Sequence, residues 1–126
     1  MVVDGLLYTE QHEWAKIEGT IATVGITDYA QQMLGEIVFA ELPALDKIFK
    51  FEDEIAMVES TKAASDVYSP VNGKVVEVNS QLESNPELIN EDCYNGGWIC
   101  RMEITDTKSI KKLMDSKQYE EFLKGL

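Results

Sequence analysis

Histidine, arginine and cysteine are nearly missing from this chain of 126 residues, and each scarcity removes a class of function. There is one histidine, His12, one arginine, Arg101, and two cysteines, Cys93 and Cys100. A Ser–His or Cys–His pair would have to use His12, and nothing in the sequence sets a serine or cysteine beside it. His12 is expected instead to pack with Trp14 and hydrogen-bond locally. The three residues are too few for a zinc site built from N and S ligands. Two cysteines do not make a disulfide framework, so both read as reduced and structural, in a reducing compartment. Basic charge is also short: 11 Lys and Arg stand against 23 Asp and Glu, a net charge of −12. Nucleic-acid binding would lack its main driving term, and anionic membranes are disfavoured. No apolar run approaches the roughly 20 residues that span a bilayer. Met1–Gly5 has neither a basic start nor a long apolar stretch, so no secretory signal is expected, and a single arginine makes no transit peptide. The initiating Met speaks against a leader already removed. Gly-rich phosphate loops and a Gly-x-Ser-x-Gly elbow are absent. The chain therefore reads as a non-enzyme.

What remains is an acidic chain of one-domain length. It is 44% hydrophobic, enough to bury about two-thirds of its unfolded surface. The acidity serves solubility or steers the chain toward partners with basic faces, and the two readings stand level. A monomer is expected, one domain over 1–126, with a core of about 6–105 and C-terminal helices over about 107–124.

Many short β-like runs separated by turn signals predict a mainly β fold, a sandwich or barrel with short peripheral helices. Trp14–Ile17 and Thr20–Val24 form a hairpin about Glu18-Gly19. Thr27 caps a short helix that Gly35 ends. Glu36–Leu42 is a strand closed by Pro43, and Asp46–Glu52 is a loop with some strand character. Ser69–Gly73 is a turn, because Asn-Gly is the strongest short turn signal in the chain. Lys74–Asn79 follows as a strand, with Val76 and Val78 on one face and Val75 and Glu77 on the other. Gln81–Asn90 reads as polar loop, with Pro86 against a regular helix. Trp98–Ile104 is the last strand. Ile110, Leu113 and Met114 suit one short helix, and Ser116 caps a second that presents Tyr119, Phe122 and Leu123.

The most informative segment is Val58–Val75. Glu54–Glu59 and Ala64–Tyr68 are the arms of a hairpin with Lys62 at its tip. An amine there stands in water with no strand partner, on a long flexible stem that another enzyme can load. Carriers of lipoamide work this way, the cofactor supplying the chemistry and the protein presenting it. An exposed hairpin lysine is otherwise ordinary, so the surrounding residues must decide.

Glu59-Ser60-Thr61-Lys62-Ala63, followed by Ser65-Asp66-Val67-Tyr68-Ser69-Pro70, resembles the lipoyl-attachment region of glycine cleavage system H proteins. Tyr8–Trp14 resembles the N-terminal signature of that family. Val24–Gln31, Leu34–Phe39 and Glu41-Leu42-Pro43 resemble its central block. Asn85–Asn90, Tyr94 and Gly97-Trp98 resemble its late block. The blocks stand in the family's order from about Leu6 to Tyr119.

The resemblance implies a barrel-sandwich hybrid of lipoyl-domain type and lipoic acid bound covalently to Lys62. Biotin carriers present Met-Lys-Met; here Thr61 and Ala63 flank the lysine. Glu59, three residues before it, fits the pattern that lipoyl-attaching enzymes read. The resemblance also places Glu13 and Asp66 near the dock of the loaded arm, where a carboxylate could hold a cationic aminomethyl group. The implied role is a shuttle. A PLP-dependent glycine decarboxylase (P protein) loads the aminomethyl group. A tetrahydrofolate-dependent aminomethyltransferase (T protein) unloads it, and dihydrolipoamide dehydrogenase (L protein) reoxidises the dithiol. A lipoate ligase, or a lipoyl/octanoyl transferase, attaches the group. The setting is the bacterial cytoplasm, or the mitochondrial matrix in a eukaryote. A relay that hands lipoyl or octanoyl groups to other lipoyl domains would use the same lysine, and an unmodified binding module would dispense with it. Three positions depart from the family's habit: Thr61 stands for valine, Asp46 lies where glycine is usual, and Cys93 stands for proline.

Overall fold

A computed structural model describes residues 1–126. Its nine strands are β1 (Leu7–Tyr8), β2 (Glu13–Glu18), β3 (Ile21–Ile26), β4 (Ile37–Glu41), β5 (Ile48–Phe49), β6 (Glu54–Ser60), β7 (Ala64–Tyr68), β8 (Asn72–Val78) and β9 (Cys100–Asp106). The helices are α1 (Asp28–Leu34), α2 (Gln81–Ser84), α3 (Leu88–Glu91) and α4 (Ser116–Lys124), with a 3₁₀ turn over Lys108–Lys112. Two antiparallel sheets result. One runs β1-β2-β3-β9-β8-β5 and the other β4-β6-β7. The architecture is the expected barrel-sandwich hybrid, mainly β with a C-terminal helix.

Alternation of apolar residues sends one face of each strand inward. Val24, Val58, Val67, Val75, Cys100 and Met102 meet between the sheets in the main core. A second cluster, Leu6, Tyr8, Trp14 and Tyr119, closes the end where the two chain termini meet. There Tyr8 and Tyr119 stack at 4.4 Å. Thr27 caps α1 by accepting from the Ala30 amide, and Gly35 ends that helix at φ 82°, both as expected.

Several local expectations are corrected. The β2–β3 turn is Gly19-Thr20, because Glu18 already pairs with Ile21. Asn72-Gly73 is not a turn but the start of β8. Asn72 Oδ1 accepts from the Phe51 amide, and Gly73 lets the Glu103 carbonyl approach. A bulge between Val75 and Glu77 breaks the alternation of β8. Val75 and Val76 lie on opposite faces as read, one buried and one exposed, but Glu77 is exposed and does not share the buried face of Val75, and Val78 is more covered than Val76. Gln81–Asn90 is not plain loop: two single turns of helix bury Leu82 and Ile89 completely. The last strand starts at Cys100, two residues late. Asp115, and not Ser116, caps α4, through a capping box with Gln118. Asp46 adopts φ 67°, the left-handed region where glycine is relaxed.

Candidate attachment site

The β6–β7 hairpin narrows to the turn Thr61-Lys62-Ala63. Ser60, buried at the end of β6, holds it from inside. Its amide donates to the Ala63 carbonyl at 2.7 Å. Its hydroxyl accepts from the Lys62 and Ala63 amides, at 3.2 and 3.0 Å, and donates to the Ala63 carbonyl at 3.1 Å. A serine that bonds its own backbone two residues on is a turn-forming device. Its signal is local and therefore present in the sequence, although the lysine reading made no use of it. From outside, the Thr61 amide donates to the Glu36 carbonyl at 3.1 Å. The Lys62 stem lies over Gly35, where an added Cβ would come within 3.1 Å of Cε. Lys62 is exposed, and its Nζ makes no ion pair or hydrogen bond. Val58 and Val67 point into the core at 1% exposure, so the arms are anchored while the tip stands out. The amine is sterically free and its backbone is fixed, which suits covalent loading by an enzyme that must find one lysine.

Glu59 lies on the exposed face of β6, opposite Ala64 on one side and Phe39 on the other. It is adjacent to the turn and open to an approaching enzyme. Asp66 is exposed on β7 opposite Met57. It lines a cleft of about 470 Å³ with Glu41, Glu54 and Met57. The Asp66 carboxylate beside Glu54 holds the Glu54 carboxyl above its usual range.

Glu13 is only 2% exposed. Its Oε1 accepts from the Thr9 hydroxyl at 2.6 Å and its Oε2 from the Tyr68 amide at 3.2 Å. Burial pushes its carboxyl up to about 7; the two hydrogen bonds pull the other way, and Glu52 adds to the rise. It lines a cleft of about 430 Å³ with Gln11, Glu52, Tyr68, Ser69 and Lys112. Glu13 and Asp66 thus line different clefts, joined by one strand. Ala64, Asp66 and Tyr68 alternate onto one side of β7. Ala64 to Tyr68 covers about 13 Å at a strand's rise of ~3.3 Å per residue.

The His12 side chain does not pack with Trp14 and finds no local hydrogen-bond partner; only the His12 amide bonds nearby, to the Thr9 carbonyl. The ring sits against Tyr29 at 4.5 Å, and its Nδ1 meets the Tyr119 hydroxyl at 2.7 Å, 107 residues away in sequence. Trp14 Nε1 donates instead to the Cys93 carbonyl. Both cysteines are buried and free. Burial pushes Cys93 up to about 11 and Cys100 to about 12, so neither is a nucleophile near neutral pH. No helix is long and apolar enough to cross a membrane.

A sequence model of the glycine cleavage H-protein family matches residues 6–126. The chain is 50% identical over 119 residues to the glycine cleavage system H protein of Parvibaculum lavamentivorans, covering 94% of this chain and 95% of that one. It is 52% identical over 120 residues to that of Alkaliphilus oremlandii, covering 95% and 94%. The crystal structure of a glycine cleavage system H protein from Mycobacterium marinum superposes with a TM-score of 0.89 at 32% identity, over 99% of this chain and all of that one.

Proposed function

The chain belongs to the glycine cleavage H-protein family, and on that premise we propose that it is a carrier loaded with lipoic acid at Lys62. The observation that carries this reading is the tip itself: a solvent-exposed amine without partners, on a turn whose backbone is fixed from both sides. Lys62 would hold lipoic acid as an amide on its Nζ, and the group would supply a disulfide open to reductive aminomethylation by a glycine decarboxylase with loss of carbon dioxide, to unloading by a folate-dependent aminomethyltransferase with loss of ammonia, and to reoxidation by a dihydrolipoamide dehydrogenase.

The chain's own residues present, orient and shield. Ser60 fixes the turn backbone from which the Lys62 stem projects. Glu59 marks the turn for the attaching enzyme with a negative charge on the exposed face of β6 next to it. The outward side of β7 gives a track from the turn, past Asp66, to the cleft where Glu13 lies. A cationic amine in that cleft would face a carboxylate already desolvated, which strengthens the attraction. The cation would in turn draw the Glu13 carboxyl back toward its ordinary range. No group in the chain has to break a bond, in keeping with a family of carrier proteins.

Incubation of the apo-protein with lipoate, ATP and a lipoate ligase tests the assignment. Peptide mass spectrometry is expected to find one lipoyl group, on Lys62, and none on a Lys62→Arg variant. Loading of Lys74, or of the arginine variant, would overturn it.

A further inference from the structure

The motif Asn85–Asn90 plays no part in the chemistry above, yet its last residue reaches the attachment turn. Asn90 stands near the end of α3, fixed by its completely buried neighbour Ile89. Its carboxamide bridges both sides of the Gly35–Ile37 link between α1 and β4. Oδ1 accepts from the Ile37 amide at 2.8 Å. Nδ2 donates to the Gly35 carbonyl and to Gln31 Oε1, each at 2.9 Å. The clamped link is the outer support of the Lys62 turn: Glu36 accepts from the Thr61 amide, Gly35 underlies the lysine stem, and Ile37 pairs with Ser60.

We infer that Asn90 is a positioning residue for Lys62, acting through Gly35–Ile37 and touching neither the amine nor its cargo. The geometry calls for an amide. One end must accept from a backbone N–H and the other must donate to a backbone carbonyl, fifty-odd residues away in sequence. A carboxylate supplies only the first, and leucine supplies neither. With the clamp gone, the amine stays exposed but the turn beneath it samples more orientations. An attaching enzyme must then order the turn on binding, and that cost appears in KM. The inference rests on Lys62 as the attachment amine.

The test uses the full-length apo-protein with a lipoate ligase, lipoate and ATP. Asn90→Leu is expected to raise the KM for the carrier about tenfold, equivalent to ~1.4 kcal/mol, with kcat within about twofold. Asn90→Asp keeps the Ile37 bond and loses the Gly35 bond, so its KM is expected to fall between. Acylation of Lys62 by a small activated ester, followed by mass spectrometry, is expected to proceed at the wild-type rate, because exposure is unchanged. Val75→Ala, a core truncation at the far side of the barrel, serves as the stability control. It should lower the melting temperature and leave KM alone. If Asn90→Leu does not fold, the Asp variant decides. Wild-type KM in the folded Asn90 variants, or an equal rise in Val75→Ala, would overturn the inference and leave Lys62 standing. A wild-type protein that takes no lipoyl group on Lys62 would overturn the underlying assignment, and this inference with it.

Discussion

Lys62 and Glu13 show the two ways a charged residue relates to its sequence. The exposure of Lys62 was legible because a hairpin tip puts any long side chain into water. The burial of Glu13 was not. A carboxylate at the start of an alternating strand reads as solvated as easily as lining a cleft. One of its two hydrogen-bond partners, Thr9, is local, but the other, the Tyr68 amide, comes from β7 and arrives only by folding. Asn90 was hidden for the same reason, and Ser60 by the lysine two residues on. The structure sharpens what Glu13 and Asp66 should do. If they hold a cationic cargo, Glu13→Gln with Asp66→Asn removes a charge-assisted contact of about 1.5–3 kcal/mol. Hydrolysis of the aminomethyl-loaded form should accelerate by roughly tenfold or more, while the oxidised lipoyl form behaves as wild type. The two clefts make the single variants informative. Glu13→Gln should carry most of the effect, since its carboxylate is the buried one. Equal hydrolysis rates in all four proteins would show that protection comes from burial alone.

At the level of elements, hairpins and capped helices were readable because their determinants are local. Thr27 and Gly35 bracket α1 with residues that act within a few positions of themselves. The misreadings occur where a distant strand decides. Asn72-Gly73 has turn chemistry, but its Asn serves the Phe51 amide and its Gly makes room for β9. Glycine there answers a close backbone approach, and not a turn. Gln81–Asn90 looked too polar for structure because only Leu82 and Ile89 face inward, one from each single-turn helix. Gly73→Ala puts the close approach on trial. A Cβ would stand 2.7 Å from the Glu103 carbonyl oxygen, a backbone atom that cannot swing away. The β8–β9 pairing must shift, at a cost of about 1–3 kcal/mol, as for overpacked cores. Urea unfolding is expected to show a lower midpoint. A wild-type midpoint would mean that β9 gives way freely, and that Gly73 owes its place to something other than packing.

For the whole molecule, two buried titrating groups act in opposite senses. His12 and Glu13 are adjacent in sequence, and burial shifts each toward its neutral form. The Glu13 carboxyl is raised to about 7 from an ordinary 4.5. Between those values the folded chain keeps a proton that the unfolded chain has lost, so the Glu13 contribution is full below pH 4.5 and fades as pH rises through 7. The His12 imidazole is lowered below its ordinary 6.5 by burial beside Tyr29, Tyr119 and Phe122. Its contribution is full above pH 6.5 and is lost as pH falls through the folded value, because the unfolded chain takes the proton first. Within the weakly acid range the two slopes oppose. Glu13→Gln should therefore make stability climb with pH between about 5 and 7, relative to wild type. His12→Asn, which tolerates the φ of 71° found there, should make it fall. The remaining carboxylates are common to all three proteins and cancel in the differences. Urea unfolding of each at several values from about pH 5 to about pH 8 gives the comparison. For Glu13 the full excursion is bounded by about 3.5 kcal/mol, because each tenfold change in proton affinity is worth about 1.4 kcal/mol. A Glu13→Gln curve parallel to wild type would mean that the carboxylate is solvated in the folded chain, and the cleft would lose its claim to hold a desolvated charge for the carrier's cargo.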